Sequence, residues 1–294
     1  MSIKRVAIIG SGNIGSDLLV KFMKNEHFIV HSFIGRNENS KGLLFCRNKY
    51  PGVITSTDSI EFVKQHHNDF DILVDCTNVN QHVRFNQYYK ECKFKVIDMT
   101  PSKIGLLAVP NLISNKDIEL NQNFNLISCG GQTSIPIANT LSNCITRIDY
   151  MEVVSSISSK SAGPATRNNL DEYIETTELG LSRFTGIENE LIKVILIINP
   201  AIPEIDMQTS IYIKTKEDVD IEYVSKKLEE TVEEVKKYVP GYRIVVPLTH
   251  VGDKYIVSVK VSGCGDFLPS YAGNLDIINC ACIRLAEKFV YNEP

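Results

Sequence analysis

The chain reads as two domains: an α/β domain on a parallel sheet, then an α+β domain on a mixed sheet. Three observations predict this. Apolar strand-like runs alternate with helical patterns through residues 1–128, the rhythm of parallel strands with helices on both faces. A glycine-rich turn joins the first strand to the first helix. After about residue 146 the strands lengthen and the helices become fewer, as in a mixed or antiparallel sheet. The expected division is 1–128 for the first domain and 129–268 for the second, with a last segment, 269–294, packing back on the first.

The elements follow in order. Arg5 to Gly10 is an apolar strand, and the helix after Gly15 sets Ile14, Leu18, Leu19 and Phe22 on one face. Phe28 to Gly35 is a second strand, followed by a polar helix to about Arg47. Asp71 to Cys76 and Lys95 to Asp98 are short apolar runs suited to a buried sheet. In the second domain, Arg147 to Ser159 reads as one long strand, with Tyr150, Val153 and Val154 among its apolar members. A helix from about Asn169 to Phe184 follows, then strands at Leu191–Ile198 and Gln208–Lys214. Ile221, Val224, Leu228, Val232, Val235 and Val239 step by three and four, an amphipathic helix ended by Pro240-Gly241. Strands at Tyr242–Leu248 and Lys254–Val261 are joined by a turn at Gly252, and a final helix runs from about Leu275 to Tyr291.

Composition excludes several classes. The 294 residues are 43% hydrophobic and 22% charged, an ordinary globular balance with room for two domains. A net charge of -4 provides no electrostatic case for nucleic acid. No apolar run approaches the roughly 18 residues of a membrane span. The opening Met-Ser-Ile-Lys-Arg-Val runs straight into a strand, so no signal peptide is expected. Eight cysteines are scattered without a C-x-x-C pair, and no Cys/His group has zinc spacing. The expectations are a reducing, cytoplasmic setting and no metal site.

Gly10-Ser11-Gly12-Asn13-Ile14-Gly15 sits between strand and helix, the context a dinucleotide-binding turn demands. The first glycine permits the tight turn, the second lets a pyrophosphate touch the backbone, and the third allows close helix packing. The first domain is therefore expected to be Rossmann-type. An acidic residue should end the second strand of an NAD site, but Ile34-Gly35-Arg36-Asn37 has none there. Arg36 suits a 2′-phosphate, which favours NADP, or reads equally as a solvated charge or an adenine-stacking residue. NAD and NADP both stay open.

Leu126-Ile-Ser-Cys-Gly-Gly-Gln-Thr-Ser-Ile-Pro136 places Cys129 on a glycine turn before an expected helix, with Ser134 as its cap and Pro136 in its first turn. A thiol at the positive end of a helix dipole should have a lowered pKa and an enlarged thiolate fraction. The two glycines let a substrate approach main-chain N–H groups able to stabilise an oxyanion. The segment also reads as a small hydrophobe packed in a tight turn. A cysteine nucleophile behind a dinucleotide domain points to aldehyde oxidation through a thioester, with water, phosphate or coenzyme A taking the acyl group.

Val6-Ala-Ile-Ile-Gly-Ser-Gly-Asn-Ile-Gly15, Ile97-Asp-Met-Thr-Pro101, Cys129-Gly-Gly-Gln132, Ser155-Ser-Ile-Ser-Ser-Lys-Ser-Ala-Gly-Pro164 and Leu268-Pro-Ser-Tyr-Ala-Gly-Asn-Leu-Asp276 run in register over nearly the whole chain. Together they resemble the acylating acetaldehyde dehydrogenases of aromatic meta-cleavage pathways. The resemblance implies conversion of acetaldehyde, NAD and coenzyme A to acetyl-CoA and NADH, a homodimer formed through the second-domain sheet, and a 4-hydroxy-2-oxovalerate aldolase as partner. It implies Cys129 as the acyl-thioester nucleophile. It also implies cofactor contacts from Ser11 to Ile14, from Ser161, Ala162, Gly163, Pro164, Ala165, Thr166, Arg167, Asn168 and Asn169, and from Asn274. Independently, Lys160 to Arg167 reads as a polar loop between strand and helix, a place where scaffolds present binding groups.

The chain departs from that family in three places. Threonine stands at 209, where the family carries an aspartate thought to help activate the thiol; Asp206, nearby, reads better as a solvated turn carboxylate. The segment from Tyr242 to Leu268 is shorter than the family's, which counts against the aldolase partner. Asn37 replaces the acidic residue after the second strand. His250 reads as a surface histidine, and His82, just beyond the Asp75 strand, as a packing residue near the expected nicotinamide region. Two other readings compete: an acyl-phosphate reductase of the semialdehyde dehydrogenase type, with Arg167 as its available arginine, and a dinucleotide sensor without chemistry.

Overall fold

The computed structural model describes residues 3–291. They divide into two compact units, 3–126 with 266–268 and 282–291, and 127–265 with 269–281.

The first unit contains β1 (Lys4–Ile9), α1 (Asn13–Lys24), β2 (Phe28–Ile34), α2 (Lys41–Lys49), β3 (Ile54–Ser56), α3 (Ile60–His66), β4 (Ile72–Asp75), α4 (Val79–Tyr89), β5 (Lys95–Asp98), β6 (Leu106–Leu107), α5 (Asn115–Leu120) and β7 (Asn123–Asn125). Among the described residues its strands form one parallel sheet in the order β3-β2-β1-β4-β5-β7-β6. The order reverses direction at β1, which pairs with β2 on one side and β4 on the other. Ligands of open α/β sheets bind beyond the strand ends at such a switch point. β4 is apolar up to Asp75 and buried throughout, because both faces of a parallel sheet are covered. Ala7, Ile9, Ile34, Val63, Phe70, Leu73, Phe94 and Val96 form one core.

A buried ionic group ties β4, β5 and α4 together. His82 Nδ1 lies 2.9 Å from Asp75 Oδ2, and Nε2 lies 3.3 Å from Asp98 Oδ2, all three side chains being 0% exposed. The Tyr89 hydroxyl also donates to Asp75. Burial alone lowers the His82 pKa, but the Asp75 hydrogen bond and the two carboxylate charges outweigh it and raise the pKa overall. Burial pushes Asp98 up to about 6 against the opposing pull of His82. His82 is therefore a structural histidine.

The second unit contains α6 (Cys129–Cys144), β8 (Tyr150–Ser158), α7 (Pro164–Asn168), α8 (Leu170–Thr185), β9 (Ile192–Asn199), β10 (Met207–Lys214), α9 (Ile221–Lys236), β11 (Tyr242–Val251) and β12 (Lys254–Val261). Its sheet order is β11-β12-β10-β8-β9. β8 and β9 are parallel and the other neighbours antiparallel, so the sheet is mixed. Burial alternates with period two along β8 and β10, and α6, α8 and α9 pack on the buried side. The opposite side carries exposed apolar residues, Ile195 and Ile197 on β9 and Val245 and Val246 on β11. A last helix, α10 (Gly273–Tyr291), has Gly273–Ala281 in the second unit and the rest in the first.

Two local expectations change. α6 starts at Cys129 rather than after Ser134: Ser128 is its cap and accepts the Gly131 N–H at 2.9 Å. Ser134 instead donates back to the Gly130 carbonyl at 2.8 Å, and Pro136 lies inside the helix. Residues 164–168 form the short helix α7, where a loop was expected.

Candidate active site

The turn from β1 to α1 is built for close backbone contact. Gly10 has φ +115, and a Cβ there would stand 2.5 Å from the Cys76 carbonyl oxygen. A Cβ on Gly15 would stand 1.9 Å from the Gly10 oxygen, so α1 can sit this near only with glycine. Gly12 is different: it faces open space and caps α1 without a side-chain hydrogen bond. The first N–H groups of α1 thus meet an exposed glycine with no side chain over them, which fits an anionic pyrophosphate. Asn13 is exposed and Ile14 half-buried beside it. Ser11 Oγ lies 3.1 Å from Ser40 Oγ, and Ser40 caps α2.

Just past β2, Gly35 is buried against Ser11 and Arg36 is exposed. Glu38, the acidic side chain of this loop, is engaged by Arg47 and by Thr57 at 3.0 Å. The Arg47 hydrogen bond, then that of Thr57, hold its pKa below the usual value. Arg36 is the exposed charge at the strand end.

In the second unit, Ile127 has φ +66, a left-handed conformation that is strained for a β-branched residue. The chain then passes through extended Ser128 into α6, leaving Cys129 as its first residue. The thiol is half-buried and donates to the Tyr173 hydroxyl of α8 at 3.9 Å. The Ser155 and Ser128 hydroxyls act on the Tyr173 phenol, pulling its pKa down against burial. Ser155 Oγ lies 2.8 Å from Thr209 Oγ1, and Ser128 Oγ lies 2.6 Å from Thr177 Oγ1. A Cβ on Gly130 would stand 2.1 Å from the Tyr173 hydroxyl. The cysteine thus sits among neutral hydroxyls.

The expected lowering of the thiol pKa is overturned. Burial pushes Cys129 up to about 11, although the Tyr173 hydroxyl and the N–H groups of Gly130 and Cys129 pull the other way. A helix N-terminus does lie at the thiol, but desolvation outweighs its dipole.

In the 161–169 segment, Ser161 and Ala162 are buried, and Ser161 donates to the Ser158 carbonyl at 2.9 Å. Gly163 caps α7, Thr166 and Asn169 are half-buried, and Asn168 is exposed. The side chains of Pro164 and Ala165 lie outside the described residues. Arg167 donates to the Ala162 carbonyl at 2.9 Å and to Ser159 at 3.0 and 3.1 Å, bracing the loop. Asn274, in the first turn of α10, is 1% exposed, and neither its Oδ1 nor its Nδ2 has a hydrogen-bond partner among the described residues. A buried amide unsatisfied at both ends is costly, and it fits a ligand that supplies both a donor and an acceptor.

Residues 129–269 match a family model described as prokaryotic acetaldehyde dehydrogenase, dimerisation. An acetaldehyde dehydrogenase of Pectobacterium atrosepticum is 47% identical over 284 residues, covering 96% of this chain and 94% of that one. One from Burkholderia pseudomallei is 45% identical over 283 residues, covering 96% and 93%. This chain belongs to the acetaldehyde dehydrogenase family, whose members are oxidoreductases. Among solved structures, aspartate semialdehyde dehydrogenase II of Vibrio cholerae aligns with a TM-score of 0.68 at 13% identity over 98% of each chain. That likeness shows a shared fold.

Within this acetaldehyde dehydrogenase family member, the structure gathers Cys129, Ser155 and Thr209 into one buried cluster and adds residues the sequence reading missed: Tyr173, Ser128 and Thr177. The available signal was the polar face of α8, where Tyr173, Thr176, Thr177 and Gly180 recur at helical spacing and are buried. Asp206 accepts from Ser262 at 2.7 Å and from Arg243, so its carboxylate is engaged there. His250 is exposed and stacks on Tyr255. Among the described residues, Cys264, Asp276 and Cys280 bring ligand-type atoms within 4.8 Å of one another. The Cys280 thiol donates to Asp276 at 3.6 Å. Among the described residues no helix is long and apolar enough to cross a membrane.

Proposed function

We propose that this protein is an acylating aldehyde dehydrogenase that converts an aldehyde, NAD(P) and coenzyme A to acyl-CoA and NAD(P)H through a thioester on Cys129. The observation that carries the reading is a half-buried thiol at the first residue of α6, 3.9 Å from the Tyr173 hydroxyl. The names of its relatives favour acetaldehyde or a similarly short substrate.

Cys129 loses its proton to water, and its sulfur bonds to the aldehyde carbon. The C=O π pair moves to oxygen, which takes up a proton to give a thiohemiacetal. The N–H groups beside the sulfur suit the transient oxyanion. When bound, the oxidised nicotinamide would supply the acceptor for the hydride of this adduct, which becomes the acyl thioester as its hydroxyl proton is lost to water. The coenzyme A thiolate then bonds to the acyl carbon, and the Cys129 sulfur leaves as a thiolate.

Gly10, Ser11, Gly12, Asn13, Ile14 and Gly15 hold the dinucleotide's phosphates in this reading. Arg36 takes an adenosine 2′-phosphate, which favours NADP, since Glu38 is already engaged. The 161–169 segment and the buried amide of Asn274 are the second unit's candidate groups for the cofactor. The exposed apolar side of the second sheet is the homodimer face. The strands β11 and β12 join through a Gly252-Asp253 turn, which argues against an aldolase that docks on a longer segment. Arg167 is committed to bracing its loop, which disfavours a phosphate co-substrate there.

The test is to follow reduced nicotinamide with acetaldehyde or propanal, NAD or NADP, and coenzyme A or phosphate. Turnover that requires coenzyme A supports the reading. Phosphate dependence, or dinucleotide binding with no turnover on any aldehyde, contradicts it.

A further inference from the structure

We propose that the Tyr173 hydroxyl is the group that stabilises the Cys129 thiolate, turning from its hydroxyl neighbours to the sulfur when the thiol proton leaves. This rests on Cys129 being the nucleophile.

The groups acting on the sulfur, besides its burial, are the Tyr173 hydroxyl and the N–H groups of Gly130 and Cys129. The groups brought to α6 and this region are neutral: Tyr173 on α8, Ser155 on β8, Thr209 on β10, Thr231 on α9, 2.6 Å from Thr140, and Tyr242 on β11, whose hydroxyl donates to the Thr133 carbonyl at 2.7 Å. At rest the thiol donates to the phenol oxygen, so the phenol proton points away from the sulfur. Burial and the nearby thiol hold the phenol's own pKa well above its usual value, so it keeps its proton and acts as a donor.

The neighbours are arranged so that the phenol can turn. Ser155 retains Thr209 at 2.8 Å, and Ser128 retains Thr177 at 2.6 Å and the Gly131 N–H at 2.9 Å. Neither is orphaned when Tyr173 swings its proton to the sulfur, so the switch strands no buried polar group. The thiol proton goes to water, and no bond to Tyr173 forms or breaks. Glycine at 130 is required for this contact, because a Cβ would stand 2.1 Å from the phenol oxygen. The backbone around Tyr173 is held by its N–H donating to Asn169 at 3.0 Å and by Thr177 donating to its carbonyl at 2.6 Å.

The experiment measures iodoacetamide alkylation of Cys129 against pH in the full-length protein, read on the Cys129 peptide by mass spectrometry. Tyr173→Phe should move the profile to higher pH by about one unit, slowing alkylation about tenfold at a fixed pH below the transition. Its kcat should fall by a similar factor, with dinucleotide affinity and circular dichroism unchanged. Ser155→Ala should leave the profile in place or move it to lower pH, because the phenol then has fewer competing acceptors. Coincident wild-type and Tyr173→Phe profiles overturn the proposal. So does a Ser155→Ala profile displaced to higher pH, which would make the whole network, rather than the phenol, responsible. The underlying reading fails separately, if Cys129→Ala keeps turnover.

Discussion

The first unit buries charge at its polar centre, whereas the described side chains around Cys129 in the second are neutral. His82 lies between Asp75 and Asp98; the carboxylates outweigh burial at His82, while burial still prevails at Asp98. Cys129 lies among Tyr173, Ser155, Ser128 and Thr209, all neutral hydroxyls. The first arrangement strongly favours one protonation pattern and locks strands together. The second leaves its one ionisable nucleophile protonated at rest, with a donor poised for the moment it ionises. Stability and reactivity therefore depend on pH in opposite ways in the two places, and substitutions can separate them.

The largest effect expected is at the sulfur. Cys129→Ala should reduce turnover by more than about 10³-fold, as removal of a nucleophile does, while dinucleotide binding stays near wild type. Retained turnover would make the cysteine a packing residue. The ionic centre comes next. Asp75→Asn leaves His82 without its closest counter-charge and should cost about 3–5 kcal/mol in denaturant unfolding. A cost near zero would mean that the group is neutral throughout.

The pH dependence sharpens the same contrast. The raised pKa of His82 contributes stability that is complete below 6.5 and lost as pH rises through its folded value. Asp98 acts in the same direction, because it holds its proton up to about 6 when folded but releases it near 3.8 when unfolded. Unfolding free energy should therefore fall from pH 6.5 upward by more in wild type than in His82→Gln. Equal slopes would remove the imidazolium from the account. Alkylation of Cys129 should instead keep accelerating through the alkaline range, since its thiol ionises at about 11.

The smallest effect is at the cofactor's edge. Arg36→Ala should weaken NADP binding about tenfold and leave NAD nearly unchanged, measured by direct titration. Equal losses for both would assign Arg36 to some role other than the 2′-phosphate.

The two regions also differ in how far sequence alone could describe them. Gly10, Gly12 and Gly15 are legible because their reasons are mostly local: a strand end, a positive φ and a helix start within a few residues. The parallel sheet is legible from the alternation of strand and helix. The α6 start was misplaced because Ser128 and Ser134 can both cap, and proline favours a first turn, yet Pro136 is accommodated inside the helix. The Cys129 pKa was misjudged because a dipole can be read along the chain, whereas desolvation comes from distant segments. Tyr173 is 44 residues from Cys129 in sequence, and no spacing rule connects them.

The account turns on an acyl group carried by one sulfur. Its most direct measurement is to mix the protein with acetaldehyde and NAD or NADP without coenzyme A, quench in acid, and map adducts by mass spectrometry. An acetyl group on the Cys129 peptide that disappears when coenzyme A is added is the predicted result. Coenzyme A-dependent turnover with the Cys129 peptide unmodified at every time point would contradict it.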